Sequence, residues 1–168
     1  MRDVFRYATQ AAIWIVFIVG IGYLSAAPTY RHFPEGEALL KLSFVHGGAH
    51  AVACRKRSRE ELLKLAPNMR RPNDCSRRRV DLQLEIELDG EPLFAATLPP
   101  TGLSGDGPSR IYRRFNVSSG AHVLILKLRD SRRDDGGFDY VTRTELGLVP
   151  GQSAAIDFRP NHGGFVVR

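Results

Sequence analysis

Three side chains that can bind metals follow one another at regular spacing: His46, His50 and Cys54. Residues four apart lie on one face of a helix, and two imidazoles with a thiolate would suit copper or zinc. Two features oppose this arrangement, because Gly47 and Gly48 disfavour a helix and a cysteine in a disulfide cannot bind a metal. Histidines that face solvent beside a turn are therefore the main interpretation. A metal site that uses His46 and His50 is the alternative.

The chain has two cysteines, Cys54 and Cys75, which bracket a single loop. A pair of cysteines in a small domain is typical of an oxidising compartment outside the cytoplasm. We predict a disulfide that closes a loop of about 20 residues and stabilises the fold by about 3 kcal/mol. Two unrelated buried thiols are the alternative interpretation.

The positive charge of the chain is concentrated around this loop. The formal net charge of the whole chain is +6, whereas residues 54–79 hold ten Lys/Arg against three acidic residues, a net charge of +7. Such a cluster can attract anionic headgroups or an acidic partner protein and raise the rate of encounter, although a merely soluble surface is the alternative. The candidate partner-binding residues are Arg55, Lys56, Arg57, Arg59, Arg70, Arg71, Arg77, Arg78 and Arg79.

No group of residues in the sequence converges on a reaction. Asp81, Glu85 and Glu87 are successive outward positions of an alternating strand, which is the pattern of a solvated sheet face. Ser118 lacks the Gly-x-Ser-x-Gly context of a hydrolase nucleophile, and residues 102–107 lack the Gly-Lys-Ser/Thr ending of a phosphate loop. We therefore predict that the protein is not an enzyme and has no cofactor.

An uncharged run of 24 residues, 7–30, precedes all of these side chains. At about 1.5 Å per residue, a helix of this length crosses a hydrocarbon core of roughly 30 Å. The run is longer than an ordinary signal-peptide core, and Pro28 would follow a cleavage site at Ser25-Ala26-Ala27, which favours a retained anchor over a cleaved signal peptide. Gly20 and Gly22 would let the anchor pack closely against partner helices.

Arg2 and Arg6 before the apolar run favour a cytoplasmic N-terminus, and the paired cysteines favour an oxidising compartment for the rest of the chain. We expect a cytoplasmic stub and transmembrane anchor in residues 1–29, and a periplasmic domain in 30–168 with the disulfide-closed basic loop at 54–75. The expected location is the bacterial inner membrane, crossed once, with the lipid bilayer as one partner. An anchored domain with a disulfide is not expected to bind nucleic acid.

The sequence after the anchor predicts a mainly β domain. In residues 80–88, apolar and polar side chains alternate without a break, which indicates a strand with one buried face. Asp89-Gly90 then predicts a tight hairpin turn. About eight such strands, separated by short turns, predict an antiparallel β-sandwich of immunoglobulin-like architecture.

One short helix is expected inside the basic loop. Ser58 and Glu61 have the spacing of a capping box, and Pro67 ends the helix. Three leucines follow the capping box at Leu62, Leu63 and Leu65, and we expect them to dock the helix on the domain.

Several motifs distributed over most of the chain resemble those of a family of membrane-anchored proteobacterial periplasmic proteins, mostly uncharacterised. The motifs are Tyr30-Arg31-His32-Phe33-Pro34 leading to Leu40-Lys41-Leu42-Ser43-Phe44, Gly102-Leu103-Ser104-Gly105-Asp106-Gly107-Pro108-Ser109, Leu128-Arg129-Asp130-Ser131, and Pro150-Gly151-Gln152 through Gly163-Gly164-Phe165. The resemblance assigns no residue a catalytic role. It implies an association with respiratory, haem-containing membrane complexes.

The expected function is therefore that of a non-catalytic accessory or assembly subunit of an inner-membrane complex of respiratory electron transport. Its partners would be subunits of that complex, including cytochrome-containing ones, and it would act through its transmembrane helix and periplasmic β-sandwich. The alternative function is a periplasmic metal-binding or metallochaperone protein that uses His46 and His50.

Overall fold

The structure, a computed structural model, describes residues 2–27 and 34–168. The chain divides into two compact units, Met1–Pro34 and Glu35–Arg168. Two features of the sequence analysis lie partly or wholly outside the described residues. They are the end of the uncharged run at 28–30, which includes Pro28, and the motif residues 30–33 of the family resemblance.

In the described part of the first unit, residues 2–27 and 34, the chain forms the helix α1 at Arg2–Ala26, which confirms the predicted N-terminal helix. Helix α1 is mostly apolar and contains no proline, so its sequence is compatible with a long helix. None of its residues is buried. The helix is long and apolar enough to cross a membrane, a property that an N-terminal signal sequence shares.

The second unit is mainly β. Its strands alternate inward and outward residues with period two, as the sequence pattern predicts. The strands are β1 (Glu37–His46), β2 (Arg55–Lys56), β3 (Asn73–Asp74), β4 (Leu82–Leu88), β5 (Glu91–Leu98), β6 (Ser109–Ser118), β7 (Gly120–Arg129), β8 (Tyr140–Leu148), β9 (Ser153–Arg159) and β10 (Gly164–Val167). One short helix, α2 (Arg59–Lys64), lies between β2 and β3.

The eight longer strands form two four-stranded sheets, with the orders β10-β9-β1-β6 and β5-β4-β7-β8. The predicted β-sandwich is confirmed. Within the described residues the neighbouring strands pair antiparallel, except that β1 and β9 are parallel, with Leu39 opposite Ser153 and Leu42 opposite Ile156. The parallel pair was not predicted. Its two strands are far apart in the chain, so no hairpin turn sets their relative direction.

Apolar side chains from both sheets meet in one core, which is why the two sheets pack face to face. In β4, the alternate residues Leu82, Leu84 and Ile86 are buried, while Gln83 and Glu85 between them are only half-buried. The other buried members of the core are Ala38, Leu40, Leu42, Phe44, Val117, Leu124, Leu126, Leu128, Leu148, Ala154, Ile156, Phe158 and Phe165.

The turn between β4 and β5 is the hairpin that the sequence predicts. Asp89 and Gly90 have φ values of 54° and 86°, the left-handed conformation that a two-residue hairpin turn requires at both positions. Asp89 also ties this turn to β7, because its Oδ1 accepts a hydrogen bond of 2.7 Å from the amide of Val123.

Candidate functional site

The basic loop, residues 54–75, is closed by the predicted disulfide between Cys54 and Cys75. Directly inside the disulfide, β2 and β3 pair antiparallel, with Arg55 opposite Asp74. The amide of Arg57 continues this ladder with a 2.9 Å hydrogen bond to the carbonyl of Pro72. The disulfide and the hydrogen bonds of the β2/β3 ladder therefore close the loop at the same place, its base.

Helix α2 begins with the capping box that the sequence predicts. The Glu61 amide donates to Ser58 Oγ at 3.2 Å, and the Ser58 amide donates to a Glu61 carboxylate oxygen at 3.0 Å. Of the three leucines expected to dock the helix, Leu62 and Leu65 are half-buried, whereas Leu63 is 62% exposed, and no residue of α2 is fully buried. The capping box and the loop closure both restrain this two-turn helix.

The segment before the loop is fixed to the sandwich by its backbone. Residue 50 forms a β-bridge with Arg79, and the amide of Ala51 donates to the carbonyl of Arg78 at 2.8 Å. On the other side, the Ala49 amide donates to the carbonyl of Asp130 at 2.7 Å. The loop therefore emerges from between the start of β4 and the end of β7.

Some of the predicted basic residues form ion pairs within the domain. Arg55 contacts Glu61 at 2.9 Å, Arg57 contacts Asp74 at 3.1 Å, and Arg77 lies 3.5 Å from Asp106. The hydrogen bond from Arg55, supported by the Ser58 amide, lowers the pKa of Glu61, so this carboxylate stays ionised and holds its partner. These ion pairs neutralise part of the charge that the sequence shows.

Two further basic residues bind backbone carbonyls. Arg79 is half-buried and donates to the carbonyls of Gly48 at 2.7 Å and Asp106 at 3.1 Å, which links three loops. Arg70 donates to the carbonyl of Leu65 at 3.0 Å, after the end of α2. Both arginines therefore have a structural role.

Four of the predicted residues are exposed and form no ion pair with any residue that the structure describes. They are Lys56, Arg59, Arg71 and Arg78, and we call them the free cations. Lys56, Arg59 and Arg71 lie in the basic loop, whose conformation is restricted by the disulfide and the β2/β3 ladder. Arg78 follows the loop, and its backbone carbonyl accepts the hydrogen bond from the Ala51 amide. The candidate surface is smaller than the nine residues of the sequence prediction.

The structure also adds basic residues that the sequence analysis missed. A groove of about 540 Å³ brings Arg78 and Arg79 together with Arg129, Arg132 and Arg133. The segment that follows β7 mixes acidic and basic residues, as in Asp130-Ser131-Arg132-Arg133-Asp134-Asp135, so its sequence shows no excess of positive charge. No ion pair joins Arg129 or Arg132 to another described residue, so both extend the cationic surface beyond the basic loop.

Apolar side chains are exposed near the free cations in the sequence. Leu63 and Met69 lie in the basic loop and Val52 lies just before it, and each is about 60% exposed: 62%, 58% and 62% respectively. Arginine and methionine beside apolar side chains are a composition that protein interfaces favour.

The two histidines of the sequence hypothesis have different surroundings. His46 Nε2 lies 2.6 Å from Asp130 Oδ2, and its ring packs edge-on against Phe158 with the ring centroids 4.7 Å apart. A ligand atom of His50 lies with the sulfur atoms of Cys54 and Cys75 in a group whose members are all within 4.8 Å of one another. His46 therefore has a structural role in the sandwich, whereas His50 lies beside the Cys54–Cys75 disulfide.

A third histidine has an arrangement that superficially resembles a catalytic triad. His122 Nδ1 lies 2.6 Å from Asp89 Oδ2, and its Nε2 lies 2.9 Å from the carbonyl oxygen and 3.4 Å from the hydroxyl of Ser118. A carbonyl oxygen only accepts, so Nε2 carries a proton and has no lone pair to activate the hydroxyl. The geometry fits an imidazolium that bridges two turns.

The His122–Asp89 pair makes stability depend on pH. The hydrogen bond that His122 donates to the Asp89 carboxylate raises the pKa of His122, against the opposing effect of burial. Its stabilising contribution is therefore complete below the unfolded-state pKa of about 6.5 and is lost as pH rises through the higher folded-state pKa. We expect Asp89→Asn to lower the urea midpoint of the full-length protein in detergent more at pH 6 than at pH 9. An equal loss at both pH values would contradict this assignment.

The described residues thus define a class: a mainly β sandwich domain that follows an apolar helix and carries a cationic, disulfide-closed loop. In comparisons with known proteins, no protein-family model and no curated protein matches the chain. A functional proposal therefore rests on the geometry of the loop.

Proposed function

We propose that the protein is a non-catalytic accessory or assembly subunit of a bacterial inner-membrane complex of respiratory electron transport. In this proposal α1 is a retained single-pass anchor with a cytoplasmic N-terminus, and the sandwich lies in the periplasm. One observation carries the proposal: three free cations, Lys56, Arg59 and Arg71, are displayed on a loop whose ends are held by a disulfide and a β-ladder, and the fourth, Arg78, follows that loop directly.

The free cations favour a binding role, because charges that serve only solubility do not need a loop closed by a disulfide and a β-ladder. Each exposed arginine is hydrated and mobile when the protein is alone, and it can pair with a carboxylate of a partner without first breaking an internal ion pair. A fixed backbone lowers the entropy that docking would lose. Both effects favour recognition of an acidic protein surface.

The surface fits a protein partner better than a polyanion. Leu63 and Met69 are exposed among the cations, and apolar contacts of this kind are typical of protein interfaces. The carboxylate of Asp134 lines the groove that contains Arg78 and Arg129, and the carboxylate of Asp74 lines a second groove, beside Arg71 in the basic loop. Both carboxylates would repel a phosphate backbone. The family resemblance of the sequence supports a respiratory membrane complex as the source of the partner.

The anchor supplies the second contact in this proposal. Gly20 and Gly22 have no atom within 4 Å of the position that a Cβ would occupy, among the residues that the structure describes. A partner helix could approach the backbone of α1 closely at these glycines.

The test is recovery of a complex from native membranes in mild detergent, followed by mass spectrometry of the proteins that co-purify. We expect a stoichiometric set of cytochrome or oxidase subunits. Reversal of the four free cations to glutamate is expected to lower recovery by at least about tenfold, because four attractive charges become repulsive.

The control changes the same amount of charge elsewhere on the domain. Four exposed arginines outside the candidate surface are reversed together in that variant: Arg110, Arg113, Arg114 and Arg143. It is expected to retain the partners. Purification of the wild-type protein alone, or equal losses in the two variants, would refute the proposal.

A further inference from the structure

The group formed by His50, Cys54 and Cys75 has a feature that a structural disulfide does not require. The Nδ1 atom of His50 is buried and has no hydrogen-bond partner among the described residues. A buried polar atom without a partner is unfavourable, and native structures usually provide one. Two sulfur atoms within 4.8 Å of a His50 ligand atom make a soft metal ion a suitable partner for this imidazole.

We infer that reduction of the Cys54–Cys75 disulfide creates a binding site for Cu(I), with His50 and the two cysteine thiolates as its ligands. The oxidised protein lacks the site, because neither sulfur of a disulfide can act as a thiolate ligand. This inference does not rest on the docking function proposed above, although both involve the Cys54–Cys75 loop.

The disulfide is accessible to a reductant because Cys54 is exposed. A protein dithiol is the class of reductant required. One of its thiolates attacks a sulfur of the disulfide, forms a mixed disulfide and releases the other cysteine. Its second thiol then resolves the mixed disulfide. In total, two electrons and two protons pass to Cys54 and Cys75, and the reductant becomes a disulfide.

The positions of both cysteines are held by bonds that survive reduction. Arg55 remains paired with Asp74 in the β2/β3 ladder, and the amide of Arg57 remains bonded to the carbonyl of Pro72. On the other side, residue 50 is bridged to Arg79 in the body of the domain. Side-chain rotation can then separate the sulfur atoms and direct them to a metal ion without unfolding the loop.

The charges around the group favour a monovalent ion. The pocket beside His50, of about 540 Å³, is lined by Arg57, Arg71 and Arg77 and by one carboxylate, that of Asp74, so positive charge is in excess there. These cations stabilise thiolates and oppose a divalent ion. Cu(I) with two thiolates has a net charge of −1, which the arginines can balance, and its binding releases two protons.

The number of ligands also favours Cu(I). Within the described residues, the metal-capable group offers three ligand atoms, one each from His50, Cys54 and Cys75. Structural zinc is almost always four-coordinate, whereas soft Cu(I) accepts three ligands of this kind.

The test is anaerobic titration of the full-length protein in detergent with Cu(I), in competition with a chromophoric Cu(I) chelator. The protein is used either oxidised or reduced with a phosphine that is removed before titration. We expect one Cu(I) per reduced chain, copper–sulfur absorption in the near ultraviolet, and no competitive binding by the oxidised chain.

Matched histidine variants test the ligand set. His50→Ala should weaken Cu(I) binding by at least about tenfold, since a direct ligand should matter no less than an outer-shell partner. His162→Ala, at an exposed turn, should bind as the wild type does. Circular dichroism establishes that each variant is folded. Equal Cu(I) binding by oxidised and reduced protein, or unchanged binding by folded His50→Ala, would overturn the inference.

Discussion

Replacement of Leu126 by alanine is expected to lower the free energy of unfolding by about 3 kcal/mol, within the range measured for buried leucines. Leu126 lies in β7 opposite Ile86 and Thr142, and its side chain is fully buried between the two sheets. The substitution removes apolar contacts and leaves a cavity that neighbouring strands cannot close without distorting their ladders. Urea unfolding of the full-length protein in detergent, followed by circular dichroism, measures the change.

The matched control is Leu103→Ala, because the same atoms are removed from a side chain that is fully exposed. We expect its unfolding midpoint to lie close to that of the wild type. If both leucine variants lose the same stability, the core does not lie between the two sheets as described.

Removal of the disulfide is expected to have an effect of similar size. The Cys54→Ser/Cys75→Ser double variant should lose about 3 kcal/mol, because a cross-link over a 21-residue separation no longer restricts the unfolded chain. The sandwich should still form, since the core residues lie outside the basic loop. Denaturant titration of the variant and of the oxidised wild-type protein measures the difference.

Reduction provides the internal control for this prediction. The reduced wild-type protein should unfold at nearly the same denaturant concentration as the serine variant, and added reductant should not change the serine variant. Equal midpoints for the oxidised wild type and the serine variant would show that closing the loop adds no stability. The expected survival of the fold after reduction is also what a reducible metal site requires.

The sequence alone determined the elements whose causes are local. The alternation in β4, the left-handed pair Asp89 and Gly90, the capping box at Ser58 and the apolar α1 each follow from residues close together in the chain. Side-chain period, turn conformation and cap chemistry act over a few residues, so they can be predicted without knowledge of the fold. The cysteine pairing was predictable because the chain has two cysteines.

The sequence predicted that the candidate site is basic, but it did not predict which basic residues form the site. The sequence located the charge excess around the basic loop. It could not show that Arg55, Arg57 and Arg77 form ion pairs with carboxylates. It also gave no sign that Arg129 and Arg132 lie beside Arg78. These differences arise because an ion pair depends on side-chain distance in space, which linear charge counting ignores.

Only the tertiary structure decided how distant segments combine. It made β1 and β9 a parallel pair, and it placed His46 against Asp130, 84 positions away in the chain. It also gave the two histidines different surroundings, because His46 packs on Phe158 whereas a ligand atom of His50 lies near the sulfur atoms of Cys54 and Cys75. The physical reason is that burial of the shared core selects which strands become neighbours, and side chains meet only where those neighbours bring them together.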